Sequence, residues 1–123
     1  MPKARDIMNR HFVGVSRSTA VSAALKLANT SKVNILPVID EGKLCGIVFD
    51  SDLEVMRNSD SKVGSVMHKP VFADADMDVE RVSKLLVEKG IGRIPVVESS
   101  IDLTCIGVIS SSEVLRAMKK SAR

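Results

Sequence analysis

The side chains able to do chemistry are few, and their spacing is not that of an enzyme. There is no Ser-His-Asp arrangement and no glycine-rich phosphate loop. His11, His68, Cys45 and Cys105 have no metal-ligand spacing, so no metal site is expected. Both cysteines lie in apolar runs and read as buried small hydrophobes. Both histidines read as surface residues. Two carboxylates stand out, Asp52 and Glu113, each just past the end of an apolar run. A carboxylate there suits the first turn of a helix, where the helix dipole favours negative charge. Ser110-Ser111-Ser112-Glu113 also has the form of a capping box.

These residues recur in matched positions. Asp6-Ile7-Met8 returns as Ser65-Val66-Met67, and Ile35-Leu36-Pro37-Val38-Ile39 as Arg93-Ile94-Pro95-Val96-Val97. Gly46-Ile47-Val48-Phe49-Asp50-Ser51-Asp52-Leu53 returns as Gly107-Val108-Ile109-Ser110-Ser111-Ser112-Glu113-Val114. So regular a duplication fixes the architecture before any one residue is interpreted. It divides the chain at 1–58 and 59–123, joined through the polar Asn58-Ser59-Asp60-Ser61. A half of this size would bury only about 60% of its unfolded surface alone, so two halves sharing one core are expected.

Each half must position its residues with the same elements. Val21, Ala24, Leu25 and Ala28 share a helical face, with Thr19 as its N-cap. Ile35–Ile39 and Leu44–Phe49 read as a hairpin around Asp40-Glu41-Gly42-Lys43, followed by a helix carrying Leu53, Val55 and Met56. In the second half Val79, Val82, Leu85 and Leu86 form the helical face, and Gly90 stops it. Strands over Ile94–Val97 and Leu103–Ile109 follow, then a helix from Ser111 with Val114, Leu115 and Met118 on one face. Short strands at 13–15 and 71–73 precede each central helix. The prediction is an α+β fold of two β-α-β-β-α modules. Pro37 and Pro95 cannot donate a ladder hydrogen bond, so their strands should be edges or be interrupted there.

Composition narrows the function classes. The chain has 123 residues, 45% hydrophobic and 27% charged, which is globular. Three Phe with no Tyr or Trp demand an aliphatic core and argue against a base-stacking nucleic-acid platform. The net charge is +3, with basic and acidic residues interspersed, and Lys119, Lys120 and Arg123 form the only basic cluster. Nucleic-acid binding is accordingly disfavoured. Nothing approaches the length of about 20 apolar residues that spans a bilayer, and the start has no signal-peptide core; a cytoplasmic protein without a membrane partner is expected.

The three matched motifs, in order and twice over, resemble a tandem pair of cystathionine-β-synthase (CBS) domains, a Bateman module. The likeness covers nearly the whole chain. It implies two modules related by pseudo-two-fold symmetry, a homodimer, and a regulatory role exerted on a separate protein. It also implies an adenosine-containing ligand (AMP, ADP, ATP or S-adenosylmethionine) in a cleft between the two motifs, with no cofactor required. The family's nucleotide motif is Gly, two apolar residues, Thr or Ser, two more residues, then Asp. The hydroxyl ends the strand and the carboxylate follows about one helical turn on, so both can face a ribose. The first half has Gly46 and Asp52, with Phe49 in place of the hydroxyl. The second has Gly107 and Ser110, with Glu113 in place of Asp. Arg93 stands where related members place a phosphate-contacting base, and the first half has Ile35 there; Arg93 as a plain strand-end residue is the alternative.

The resemblance thus assigns the nucleotide to Val71, Phe72, Ala73, Gly92, Arg93, Ile94, Pro95, Ser110 and Glu113. It leaves a weaker site at Val13, Gly14, Leu36, Pro37 and Asp52. A ligand-independent scaffold is the competing function.

Overall fold

The computed structural model describes residues 1–121; Arg123 of the basic cluster lies outside the described residues. The chain forms two compact units, one of Val13–Val71 and one of Met1–Phe12 with Phe72–Arg123. Each unit therefore combines the body of one repeat with the lead-in motif of the other.

In the unit of Val13–Val71, helix α2 (Val21–Ser31) precedes β1 (Ile35–Asp40), β2 (Lys43–Phe49) and α3 (Asp50–Val55). β1 and β2 pair antiparallel, Ile35 opposite Phe49 and Pro37 opposite Ile47. Cys45 is the extra residue of a bulge between the Val38–Gly46 and Ile39–Leu44 pairs. Val21, Ala24 and Ala28 of α2 pack with Leu36, Val38, Val48, Leu53 and Val63 into an aliphatic core.

The other unit opens with α1 (Ala4–Ile7) and continues with β3 (Ala73–Asp74), α4 (Val79–Lys89), β4 (Arg93–Val97), β5 (Cys105–Ser110) and α5 (Ser111–Ser121). Its sheet has the order β3-β4-β5, with β3 parallel and β5 antiparallel to β4. Ile94, Val96, Val97, Ile109, Val79 and Val82 are fully buried. Helices α4 and α5 pack on each other, and α1 packs on α5 and β5. Lys3 pairs with Asp78 at 2.8 Å and Arg5 with Asp76 at 2.9 Å. The Lys3 ammonium, which donates to Asp78, holds that carboxyl below its usual range.

The prolines interrupt the ladders and set the length of the first strands. Val15 N–H donates to the Pro37 carbonyl at 3.1 Å, and Ile39 N–H to the Val15 carbonyl at 2.7 Å. The next bond of this parallel ladder would need a Pro37 N–H, which does not exist. The expected strand at 13–15 is thereby reduced to one bridge, Val15 with Val38. Pro95 acts alike: β3 begins at Ala73, opposite Val96, and not at Val71. β4 is nonetheless the central strand of its sheet.

Other details depart from expectation. Ala20, not Thr19, is the N-cap of α2; the Thr19 hydroxyl accepts the Ser16 N–H at 3.0 Å. Val55 and Leu115 are 82% and 57% exposed, so neither belongs to its helix's buried face. α3 has only six residues, and Val55 falls on its outer side; in α5 Ala117 takes the inward place beside Val114. Gly90 ends α4 in the left-handed region at φ 65°, as expected; Lys32 fills the same role after α2 at φ 57°.

Candidate functional site

The two copies of the motif share one scaffold. In each, the β hairpin ends at the N-terminus of a helix, and a lead-in motif lies across its second strand. Val108 exchanges both backbone hydrogen bonds with Asn9, at 2.8 and 2.9 Å. Ile47 does the same with His68, at 3.1 and 2.8 Å. These bonds occupy the outward N–H and C=O of Val108 and Ile47, so Pro95 and Pro37 opposite them form non-hydrogen-bonded pairs. Two residues along, Arg93 opposite Ser110 and Ile35 opposite Phe49 are again non-hydrogen-bonded pairs, whose side chains stand close on one face.

The matched glycines make this crossing possible. A Cβ on Gly107 would fall 2.6 Å from Met8 Sδ and 2.8 Å from its Cγ. A Cβ on Gly46 would fall 2.8 Å from both Met67 Sδ and the His68 carbonyl oxygen. Each glycine thus accommodates the lead-in methionine of the opposite repeat. The repeat alignment did not reveal this partnership, although a glycine inside a strand is itself a sign of close approach.

In the unit containing β4, the structure brings Arg93, Ser110 and Glu113 together. Ser110 is buried, 9% exposed, at the start of α5. Glu113 Oε1 accepts the Ser110 N–H at 2.8 Å and its Oγ–H at 3.0 Å. Glu113 N–H reaches back to Ser110 Oγ at 3.4 Å, so the expected capping box is formed. Arg93 is half-buried, and its guanidinium has no ion pair among the described residues. Ile94 and Pro95 are buried along the same strand, and Ala73 is fully buried beside it in β3; Phe72 precedes it, half-buried. Gly92 is exposed, and its carbonyl accepts Ser111 N–H at 2.8 Å. A Cβ at Gly92 would meet only Ser111 Oγ, at 3.7 Å, so this chain's own packing does not require glycine there. Val71 ends the other unit.

In the unit of Val13–Val71 the corresponding place is filled from within. Asp52, in the first turn of α3, takes His68 Nε2 at 2.6 Å on its Oδ2. The Phe49 ring meets the imidazole edge-on, with centroids 5.5 Å apart. His68 is thus a carboxylate partner more than a bare surface residue. The sequence held no local sign of it, since the two residues are 16 positions apart. Val13 and Gly14 are exposed, while Leu36 and Pro37 are buried in β1.

Cys45 and Cys105 are free, half-buried thiols. Desolvation pushes both up, Cys105 to about 11, which keeps them protonated and weakly nucleophilic. Among the described residues no group of three or more His, Cys, Asp or Glu is placed to hold a metal ion, and no helix is long and apolar enough to cross a membrane.

Comparison with known proteins agrees with this arrangement. The CBS domain family profile matches residues 4–54 and 63–120. The chain is 31% identical over 118 residues to the uncharacterized protein MJ0188 of Methanocaldococcus jannaschii, covering 94% of this chain and 43% of that protein. It is 30% identical to inosine-5'-monophosphate dehydrogenase of the same organism, covering 95% of this chain and 24% of the enzyme. The chain thus spans less than half the length of these relatives. Among solved structures, CBSX2 in complex with AMP superimposes with a TM-score of 0.84 at 29% identity, covering 100% of both chains.

Proposed function

This chain belongs to the CBS-domain family, and from that premise we propose that it is a regulatory module binding an adenosine-containing ligand through its second repeat. Arg93 contacts the phosphate, Ser110 and Glu113 lie at the ribose, and Val71, Phe72 and Ala73 flank the base. Gly92, Ile94 and Pro95 line the approach. The observation that carries the proposal is the contrast between two equivalent cross-strand pairs. Arg93 faces Ser110 in one copy, while Ile35 faces Phe49 in the other. A half-buried arginine with no ion pair among the described residues, beside the first turn of an eleven-residue helix, is suited to phosphate oxygens. The AMP complex of CBSX2 supports the same ligand class.

In the first repeat, Val13, Gly14, Leu36, Pro37 and Asp52 constitute the weaker site, because His68 already occupies the carboxylate. The module acts as a homodimer on a separate protein. Its ligand must favour one of two conformations to have any effect on that partner. The relationship to one part of an inosine-5'-monophosphate dehydrogenase supports such a role beside a catalytic partner.

Isothermal titration of AMP, ATP and S-adenosylmethionine into the purified protein tests the reading. One site per chain is expected for an adenine nucleotide, weakened at least about tenfold by Arg93→Ala. No heat from any of the three at millimolar concentration removes the sensor function and leaves a ligand-independent scaffold. Loss of binding in Asp52→Ala, with Arg93→Ala unaffected, would place the site in the first repeat.

A further inference from the structure

We infer that the second-repeat site selects its ligand by phosphate and not by sugar, so that adenine ribonucleotides and 2'-deoxyribonucleotides bind alike. This rests on the reading above that Arg93, Ser110 and Glu113 contact an adenosine ligand. A carboxylate grips a ribose by offering one oxygen to each of the two vicinal hydroxyls. Glu113 is not free to do so. Its Oε1 already accepts two hydrogen bonds from Ser110, at 2.8 Å from N–H and 3.0 Å from Oγ–H.

The Ser110 hydroxyl is equally committed. It has one proton, directed at Glu113, and its oxygen lies 3.4 Å from Glu113 N and 3.0 Å from Ser112 Oγ. Ser110 is also only 9% exposed. The two residues that should read the sugar are therefore turned onto each other. Only Glu113 Oε2 remains, so the grip that gives each vicinal hydroxyl its own carboxylate oxygen is not available. Glu113 thus folds back to the N-cap, whereas Asp52 of the other copy reaches out to His68. Arg93 carries no such internal engagement among the described residues. Its planar fork can take two phosphate oxygens at once, so the discriminating contact is with charge.

The test is a titration of AMP, 2'-deoxyAMP and adenosine into the full chain at one pH and salt concentration. AMP and 2'-deoxyAMP are expected to agree within about threefold, and adenosine to bind at least about tenfold more weakly. Arg93→Ala, checked for folding by circular dichroism, should bring AMP down to the level of adenosine. If 2'-deoxyAMP binds more than about tenfold weaker than AMP, the sugar is being read, and the inference fails while the adenosine-binding function stands. Equal binding of adenosine and AMP overturns it from the other side. If none of the three binds, the proposed function fails and this inference with it.

Discussion

Placing a methyl group at Gly46 and at Gly107 should harm the protein for different reasons. At Gly46 the new Cβ lies 2.8 Å from the His68 carbonyl oxygen. That oxygen is backbone, and it accepts the Ile47 N–H at 3.1 Å. Moving it by about half an ångström to reach ordinary contact stretches that bond past its useful range. One or two hydrogen bonds lost at about 1 kcal/mol each, with overpacking of about 1–3 kcal/mol, oppose a gain of up to about 1 kcal/mol from stiffening the unfolded chain. Gly46→Ala is therefore expected to destabilise by about 2–3 kcal/mol. At Gly107 the severe contacts are with the Met8 side chain, at 2.6 and 2.8 Å, while the Asn9 carbonyl at 3.1 Å needs to give only slightly. A thioether can repack, so about 1–2 kcal/mol is expected. The difference is sharpest in double-mutant cycles. Met8→Ala should relieve Gly107→Ala, giving a coupling of at least about 1 kcal/mol, whereas Met67→Ala should leave most of the Gly46→Ala penalty in place. Urea denaturation followed by far-ultraviolet circular dichroism is the suitable assay, because the chain has neither Trp nor Tyr. A Gly46→Ala protein within about 0.5 kcal/mol of the parent, or equal couplings in the two cycles, would refute the assignment of these glycines to lead-in packing.

Other outcomes follow from single positions. Lys32 and Gly90 end equivalent helices at φ 57° and 65°, so Lys32→Gly should stabilise and Gly90→Ala destabilise by about 1 kcal/mol each in thermal melts. Ser110→Ala removes the hydroxyl's bonds in the capping box at α5 while leaving the bond from its backbone N–H to Glu113, and should lose about 1 kcal/mol by the same measurement; no change would deny the hydroxyl its structural weight. Cys105 is raised in the fold from 9.0 to about 11. The folded state therefore holds the proton more tightly, and this contribution is complete below pH 9 and lost as pH rises toward 11. Stability followed against pH should fall across that window in the parent and less in Cys105→Ala. Iodoacetamide at pH 8 should label Cys105 much faster in urea than in the folded protein.

Local pattern made the hairpins legible, because Pro37 and Pro95, the Asp40–Lys43 turn and the β-branched runs are all short-range signals. The face of α4 and its Gly90 stop were legible for the same reason, as was the box at Ser110 and Glu113. The errors lie where neighbours distant in sequence decide. Thr19 has the chemistry of a cap, but its hydroxyl turns to Ser16 in the loop before α2. Val55 and Leu115 are apolar, yet only tertiary packing determines which side of a short helix is covered. The Asp52–His68 pair joins two residues from different repeats, so comparing each copy with its counterpart could not find it. The same blindness concealed where Met8 and Met67 pack. The duplication aligns each with its own repeat, and each methionine serves the other.

That exchange makes one unit discontinuous: Val13–Val71 is inserted between Phe12 and Phe72. During synthesis the inserted unit can finish as soon as Val71 is available. The segment before it, Met1–Phe12, must instead wait for β5 before Met8 can settle on Gly107 and Asn9 can bond Val108. Bridging 59 flexible residues carries an entropic penalty of about 3–4 kcal/mol, and prior folding of the insertion changes that loop from a random coil into a structured spacer. The connectivity thus sets a constraint on assembly: the inner unit can close on its own residues, whereas the outer unit cannot close until β5 has been made.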